Sequence, residues 1–228
     1  MAKKIVKRKK IKLIPVLILL LILFLLFIVT YFVINIRIRN IYIHGNDNIS
    51  DEYIIDYLNI SDYPSITTNP AWSMENKLKS SPYITGAKIK KKFFGVLDIE
   101  IEENELLFFK KYDNKYVFKD LIETDEIIYD VSPVVVINYI PDTEYDSFLR
   151  KFQKIPREVI DKISEIKYDP TEYDTGRFLF YMIDGNYVYV TTTKLESINY
   201  YNEIYPTLEG KKGTLYLDSG NHFVEFKK

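Results

Sequence analysis

The side chains best suited to chemistry are two histidines and a large set of carboxylates. His44 and His222 lie far apart in the sequence, and neither has a second histidine nearby, so their spacing does not indicate a metal site. We interpret both as ordinary surface histidines. The chain has no cysteine, which excludes disulfides, zinc-thiolate sites and cysteine nucleophiles. The sequence therefore predicts no metal site and no cofactor.

Paired carboxylates leave one catalytic possibility open, because a glycosidase needs only two acids that flank a sugar bond. With 32 acidic residues, however, pairs arise by chance. The motifs typical of serine hydrolases, zinc peptidases and phosphate-binding loops are absent from the sequence. Two small domains are also not expected to enclose a deep cleft. We therefore predict that the protein is not an enzyme and has no small-molecule substrate.

An apolar run at residues 13–36 has the length of a membrane-spanning helix. Its 22-residue part from Leu13 to Ile34 would form a helix about 33 Å long, against a hydrocarbon core of about 30 Å. A cleaved signal peptide would have a shorter apolar core followed by a small-residue cleavage site. We therefore predict an uncleaved anchor through which the protein contacts the lipid bilayer.

The distribution of charge predicts the orientation of this anchor. Residues 1–12 hold seven Lys and Arg residues and no acid, so the positive-inside rule predicts a basic cytoplasmic tail and an extracytoplasmic region after the anchor. The remaining residues hold 24 basic and 32 acidic side chains, a net charge of −8. An acidic region of this kind is a poor match for nucleic acid, which we exclude as a partner.

Residues 37–103 predict a small domain with the order strand, helix, helix, strand, strand. A first strand ends at a Gly-Asn-Asp-Asn turn, and Ser50 is the predicted N-cap of a helix. Asn69 and Pro70 are predicted to open a second helix. Two segments that alternate apolar and charged residues then predict a hairpin in which lysines face carboxylates, including Lys92 opposite Asp98. This lysine run is therefore interpreted as a solvated sheet face.

Two segments of this domain resemble the FtsQ/DivIB cell-division family. Residues 41–60 (IYIHGNDNISDEYIIDYLNI) are similar to the opening of the POTRA domain of that family, and residues 82–94 (PYITGAKIKKKFF) are similar to one of its later strands. The basic tail, single anchor and immediate POTRA-like unit fit the same family. Some members carry a long tail or a cytoplasmic extension, and we expect roles tied to those parts not to apply here.

Residues 104–228 are predicted to form a second, β-rich domain. Asp-Asn at 113–114 and Asp-Gly-Asn at 184–186 separate apolar runs and indicate hairpins, and the apolar run Val134–Tyr139 indicates a central strand. Helical spacing predicts flanking helices at 145–152 and 194–205. The predicted fold class is α+β, with an N-terminal transmembrane helix, a small POTRA-like βααββ domain and a mixed, mostly antiparallel β-sheet domain with flanking helices. The layout of this second domain is also similar to that of FtsQ/DivIB proteins.

The resemblance implies a non-catalytic divisome scaffold, located in the cell membrane and expected at the division septum. It implies that the protein binds and positions bitopic coiled-coil division proteins, of the FtsL-like and FtsB/DivIC-like kinds. The final strands and adjoining helix of the second domain carry this contact in relatives. The corresponding residues here are Tyr201, Thr214, Leu215, Tyr216, Leu217, Asp218, Phe223, Val224 and Phe226. Ordinary core packing is the alternative role for each of them.

The main alternative function is that of another membrane-tethered extracytoplasmic POTRA-type module. Such a module could bind or sense a different envelope complex or a cell-wall polymer. A tagged protein spread evenly around dividing cells would favour this alternative over a role in division.

Overall fold

A computed structural model describes residues 13–227 of the chain. The predicted basic tail at 1–12 lies outside the described residues. The described chain divides into two compact units. The first contains the residues up to Asn46, Ser50–Ser80 and Gly86–Ile101, and the second contains Asp47–Ile49, Ser81–Thr85 and the residues from Glu102 onward. The predicted α+β class is confirmed.

The first unit contains an apolar helix followed by βααββ elements. Helix α1 spans Leu13–Ile34 and is the one helix among the described residues that is long and apolar enough to cross a membrane. The other elements are β1 (Asn40–His44), α2 (Asp51–Leu58), α3 (Ala71–Lys79), β2 (Ile84–Lys92) and β3 (Val96–Glu103). The strand order is β1-β3-β2, with β1 parallel to β3.

Local sequence signals account for most of this unit. The Ser50 side chain accepts a hydrogen bond from the Tyr53 backbone N–H at 3.2 Å, which confirms the predicted N-cap of α2. The predicted ion pair between Lys92 and Asp98 is present at 2.7 Å. The predicted capping role of Asn69 is wrong, because α3 begins after Pro70 without a side-chain cap and the Asn69 amide donates to the Ser65 carbonyl instead.

The second unit is built on a nine-stranded mixed sheet with the order β12-β11-β10-β9-β8-β7-β4-β5-β6. Five of its eight strand pairings are antiparallel, as the sequence predicts. The elements are β4 (Leu106–Lys110), β5 (Lys115–Phe118), β6 (Glu123–Thr124), β7 (Val135–Val136), α4 (Asp142–Phe152), α5 (Arg157–Ile160), β8 (Ile163–Tyr168), β9 (Arg177–Met182), β10 (Tyr187–Thr191), a 3-10 segment (Thr192–Tyr200), α6 (Tyr201–Thr207), β11 (Gly213–Tyr216) and β12 (His222–Glu225).

Helix α4 seals one face of this sheet with aromatic side chains. Phe148 and Phe152 are fully buried. Their rings contact those of Phe178 and Phe108, with centroid separations of 4.5 and 5.4 Å. The helices cover this face of the sheet. Side chains alternate between the two faces along a strand, so the opposite face of β9–β12 carries the polar and aromatic side chains.

Two predicted elements differ in extent from the observed ones. Strand β7 lies in the middle of the sheet, as predicted, but has only two residues. At Asn138 the side-chain amide pairs with β8 in place of the backbone. It accepts a hydrogen bond from the Tyr168 N–H and donates one to the Tyr168 carbonyl, both at 2.8 Å. The helix predicted at 194–205 is a 3-10 segment followed by α6, which continues through Pro206.

Candidate partner-binding surface

The predicted site residues converge on β11 and β12, at one edge of the nine-stranded sheet. Strand β12 pairs only with β11 in the described chain, and its register matches Thr214 with Val224 and Leu215 with Phe223. The other side of β12 is therefore a sheet edge, as expected for a terminal strand.

The hydrogen-bond register decides which backbone groups of β12 face outward. The Phe226 N–H donates to the Lys212 carbonyl at 2.9 Å, just beyond the paired residues. Because hydrogen-bonded and non-hydrogen-bonded pairs alternate in antiparallel strands, Val224 also turns its backbone groups toward β11. The backbone N–H and C=O groups of Phe223 and Glu225 consequently point away from the sheet.

Aromatic side chains cover the solvent-facing side of this edge. The Tyr216 ring stacks on the His222 ring, with centroids 4.8 Å apart and planes within 6°, and on Tyr189 at 5.4 Å. The Phe226 ring meets Tyr187 at 5.1 Å and remains 40% exposed. These rings form two groups on the same face of the sheet, and together with Val224 we call them the open face.

The opposite side chains of the same strands turn toward the helices. Leu215 and Leu217 are buried in the core, and Phe223 packs against it while lining a groove beside α6. Tyr200 is 60% exposed on the wall of this groove, which also includes Ile204. The edge of β12 is thus flanked by aromatic side chains on the open face and, on the helix side, by a groove whose apolar lining is interrupted by polar residues such as Glu203 and Asn221.

Tyr201 is fully buried, and its hydroxyl belongs to a hydrogen-bond network that reaches the start of β11. Its hydroxyl donates to Asp184 Oδ2 at 2.6 Å and accepts from Asn186 Nδ2 at 3.2 Å. Asn186 Oδ1 in turn accepts the Gly213 N–H at 2.9 Å, at the start of β11. Burial, followed by the hydrogen bond to Asp184, raises the pKa of Tyr201. The network fixes β11 to the β9–β10 turn.

Asp218 holds the end of β11 through an ion pair instead of facing solvent. Its carboxylate accepts from Arg177 Nε at 2.8 Å, and its carbonyl accepts from Lys194 Nζ at 2.8 Å. The Arg177 guanidinium lies 3.5 Å from the centre of the Tyr189 ring, a cation–π contact. Thr214 is largely buried in the same strand. The nine predicted residues therefore divide into two sets. One set is exposed on β12 or on the open face, and the other is buried or ion-paired and holds β11 and β12 in place.

The two histidines do not form a metal site. His222 stacks on Tyr216, and His44 lies 3.4 Å from Asp98. Residues 13–227 contain no group of three or more His, Asp or Glu side chains placed to hold a metal ion.

The sequence interpretation did not single out Lys110, which is buried at the other end of the sheet. Its Nζ donates to both carboxylate oxygens of Glu123, at 2.7 and 2.8 Å, and lies 2.9 Å from Asp113. Burial alone would lower the pKa of Lys110, but its hydrogen bonds to Glu123 and Asp113 outweigh this effect and raise it. In the sequence, the one indication that Lys110 is buried is its position directly after the apolar run Leu-Leu-Phe-Phe.

Residues 36–104 match the family model of the FtsQ-type POTRA domain. The cell division protein DivIB of Bacillus subtilis is 27% identical over 207 residues, which cover 84% of this chain and 75% of the relative. DivIB of Listeria monocytogenes is 26% identical over 161 residues, which cover 67% of this chain and 59% of the relative. DivIB of Staphylococcus aureus is 23% identical over 204 residues, which cover 84% of this chain and 46% of the relative. Residues 36–104 therefore form an FtsQ-type POTRA domain, and the chain is similar to the DivIB cell division proteins over most of its length.

The solved major extracytoplasmic domain of the trans isomer of DivIB from Geobacillus stearothermophilus aligns with 47% of this chain and 96% of its own length, at 19% identity and a TM-score of 0.37.

Similarity to the DivIB proteins supports a role in cell division. The DivIB relatives carry this role in their names, and the family is non-enzymatic. Within residues 13–227, α1 is the one helix of membrane-spanning length and composition; it fits a single-pass membrane protein and indicates membrane anchoring. Both the resemblance and the predicted POTRA domain are confirmed.

Proposed function

We propose that the protein is a non-catalytic divisome scaffold that binds FtsL-like and FtsB/DivIC-like bitopic coiled-coil proteins and positions them at the septum. In this proposal α1 spans the cell membrane, residues 1–12 lie in the cytoplasm, and a POTRA domain at 37–103 and a β domain at 104–228 lie outside it. The supporting observation is the free edge of β12, with aromatic residues on one side and a partly apolar groove on the other.

The outward backbone groups of β12 support binding by strand addition. Phe223 and Glu225 offer two N–H donors and two C=O acceptors in the spacing of a β-strand. An extended partner segment can pair with these groups and extend the sheet by one strand, gaining affinity from the backbone and selectivity from alternate side chains.

The side chains beside this edge predict what the partner presents. Alternate residues of an added strand would contact the open face near Val224 and Phe226, which are 49% and 40% exposed. The intervening residues would face the groove near Phe223 and Tyr200. We therefore expect a partner segment with apolar residues on both faces of a short strand, since tyrosine and phenylalanine favour such contacts at interfaces.

The test is co-purification of the coiled-coil partners with full-length variants. Phe226→Asp and Tyr216→Asp place a charge on the open face and should abolish co-purification while unfolding stays cooperative. Tyr173→Asp is the matched control, because Tyr173 is 97% exposed and lies outside the surface. Unchanged co-purification in both open-face variants would refute this binding site.

Septal location is tested separately with a fluorescent fusion in growing cells. The proposal expects a band at midcell in dividing cells. Uniform fluorescence around the envelope would contradict a divisome role and would favour a POTRA-type module of another envelope complex.

A further inference from the structure

The C-terminal end of α1 is joined to the folded first unit without a free linker. The Thr67 hydroxyl donates to the Ile34 carbonyl at 2.8 Å, which satisfies a terminal carbonyl of the helix. The Ile66 N–H donates to the Ile36 carbonyl at 2.9 Å, and the Ile38 N–H donates to the Pro64 carbonyl at 3.0 Å. The first residues after the helix are therefore already part of the domain.

A turn with two exposed phenylalanines lies beside this junction. Phe93 and Phe94 are 90% and 81% exposed, in a 3-10 turn that spans Phe93–Gly95. Phe94 adopts a φ of +64°, which bulky residues rarely adopt. The turn therefore leaves both phenylalanine side chains in the open.

The chain after α1 fixes this turn in place. The Arg39 N–H donates to the Gly95 carbonyl at 2.8 Å. At Gly95, with φ +82°, a Cβ atom would lie 2.1 Å from the Arg37 carbonyl oxygen, so only glycine permits this approach. The exposed phenylalanines are thus held against the membrane-proximal segment.

The same turn shares a cleft with the last turn of α1. Phe32 of α1, Ile36 and both phenylalanines line this cleft, together with Arg37 and Arg39. Both arginines are exposed, and within residues 13–227 neither has a carboxylate at ion-pair distance. The apolar surface of the helix therefore continues into a patch that is apolar and cationic.

We propose that the Phe93–Phe94 turn inserts into the interface of the bilayer that α1 crosses, and that Arg37 and Arg39 bind the phosphates of anionic lipids there. Aromatic rings favour the headgroup region, and cationic side chains next to them favour anionic lipid. Continuity with Phe32 identifies the occupant as lipid, because this cleft begins on a helix that is itself surrounded by acyl chains. The inference rests on membrane insertion of α1.

The absence of cysteine makes a direct measurement possible. Phe94→Cys, and separately Phe93→Cys, would carry a nitroxide label in the full chain reconstituted in nanodiscs of phosphatidylcholine and phosphatidylglycerol. We expect both labels to collide more with oxygen than with a water-soluble nickel chelate, as lipid-embedded labels do. Leu23→Cys in α1 is the embedded control, and Tyr173→Cys is the aqueous control.

The controls separate the two ways in which the inference can fail. If the Leu23 label is embedded but both phenylalanine labels report water, the inference is overturned while the anchor stands. If the Leu23 label also reports water, membrane insertion itself is overturned. Labels that stay aqueous in nanodiscs but become immobile when division partners are added would indicate a protein contact and would also overturn the inference.

The lipid phosphate contact has its own test. Adding phosphatidylglycerol should increase the ratio of oxygen to nickel collisions at position 94 relative to pure phosphatidylcholine. The double variant Arg37→Gln/Arg39→Gln should remove this increase while leaving the Leu23 label unchanged. An equal response in the double variant would rule out the arginines as the lipid-binding groups.

Discussion

The nine-stranded sheet ends in two edges that differ in length and in what their side chains do. Strand β6 has two residues, and its Glu123 is held by Lys110 and by the Tyr145 hydroxyl at 3.0 Å. The Thr124 hydroxyl donates to the nearby Glu126 carbonyl. Strand β12 has four residues in regular register, with exposed side chains and outward backbone groups. A short edge held by side-chain contacts is therefore protected, whereas a longer regular edge remains able to pair.

The largest expected effect of a substitution is at the protected edge. Lys110→Met removes the cation that compensates Glu123, so the free energy of unfolding should fall by about 3–5 kcal/mol, measured by urea denaturation. Lys119→Met is the matched control, because its ion pair with Glu105 is half exposed and worth at most about 1 kcal/mol. Adding Glu123→Gln to Lys110→Met should recover part of the loss. A loss no larger than that of the control would contradict the structural role of this cluster.

The support beneath β11 should be the next most sensitive point. Tyr201→Phe leaves Asp184 and Asn186 without their shared hydroxyl partner, so we expect a loss of about 1–3 kcal/mol in thermal or urea unfolding. Tyr205→Phe is the control, because Tyr205 stacks on Tyr201 but is only half-buried. Equal losses in the two variants would show that the network does not hold β11.

Proline substitutions compare the two edges directly. Glu225→Pro removes an outward N–H of β12, so partner affinity should fall about tenfold while stability changes little. Val224→Pro removes an N–H that faces β11 and should instead lower stability. Thr124→Pro at the β6 edge should leave partner affinity unchanged. Calorimetric titration of the purified partners checks this prediction, and a stronger effect on affinity at β6 than at β12 would reverse the comparison.

The smallest expected effect concerns pH at the end of β8, in the middle of the sheet between the two edges. The hydrogen bond from Lys167 lowers the pKa of Asp169. Because the folded pKa lies below the unfolded value of about 3.9, this stabilisation is present above that pH and is lost as the pH falls through the folded pKa. Lys167→Met should therefore destabilise the protein more at pH 6 than at an acidic pH at which Asp169 is protonated in the folded protein. The difference should be under about 1 kcal/mol, since Lys167 is 40% exposed. An equal effect at both pH values, measured by urea denaturation, would exclude this cause.

Signals carried by neighbouring residues allowed much of the fold to be predicted. The Ser50 cap, the Asp-Gly-Asn hairpin at 184–186 and the amphipathic spacing of α4 each depend on residues within about one turn or one hairpin of each other, and each is present. The extent of β7 could not be predicted in this way, because it depends on Asn138 meeting Tyr168 from another strand.

The candidate site shows the same division. The sequence alone predicts that the final strands lie at the end of the chain and alternate in polarity. The family resemblance is also found from the sequence alone. Which side of β12 is open, and that Tyr201 lies inside while Phe226 lies outside, required the strand order and register. The exposure of Phe93 likewise follows from a turn whose geometry depends on Arg37 and Arg39.

The sequence by itself determined an apolar membrane-length segment, the βααββ order, the hairpins and the family. It did so because apolar periodicity, caps and turn residues act over short distances along the chain. Only the tertiary structure decided which edge of the sheet stays free, which tyrosines are buried and which lysine is buried against carboxylate partners. These properties depend on which distant segments come into contact in the folded chain. A local sequence pattern does not specify those long-range contacts.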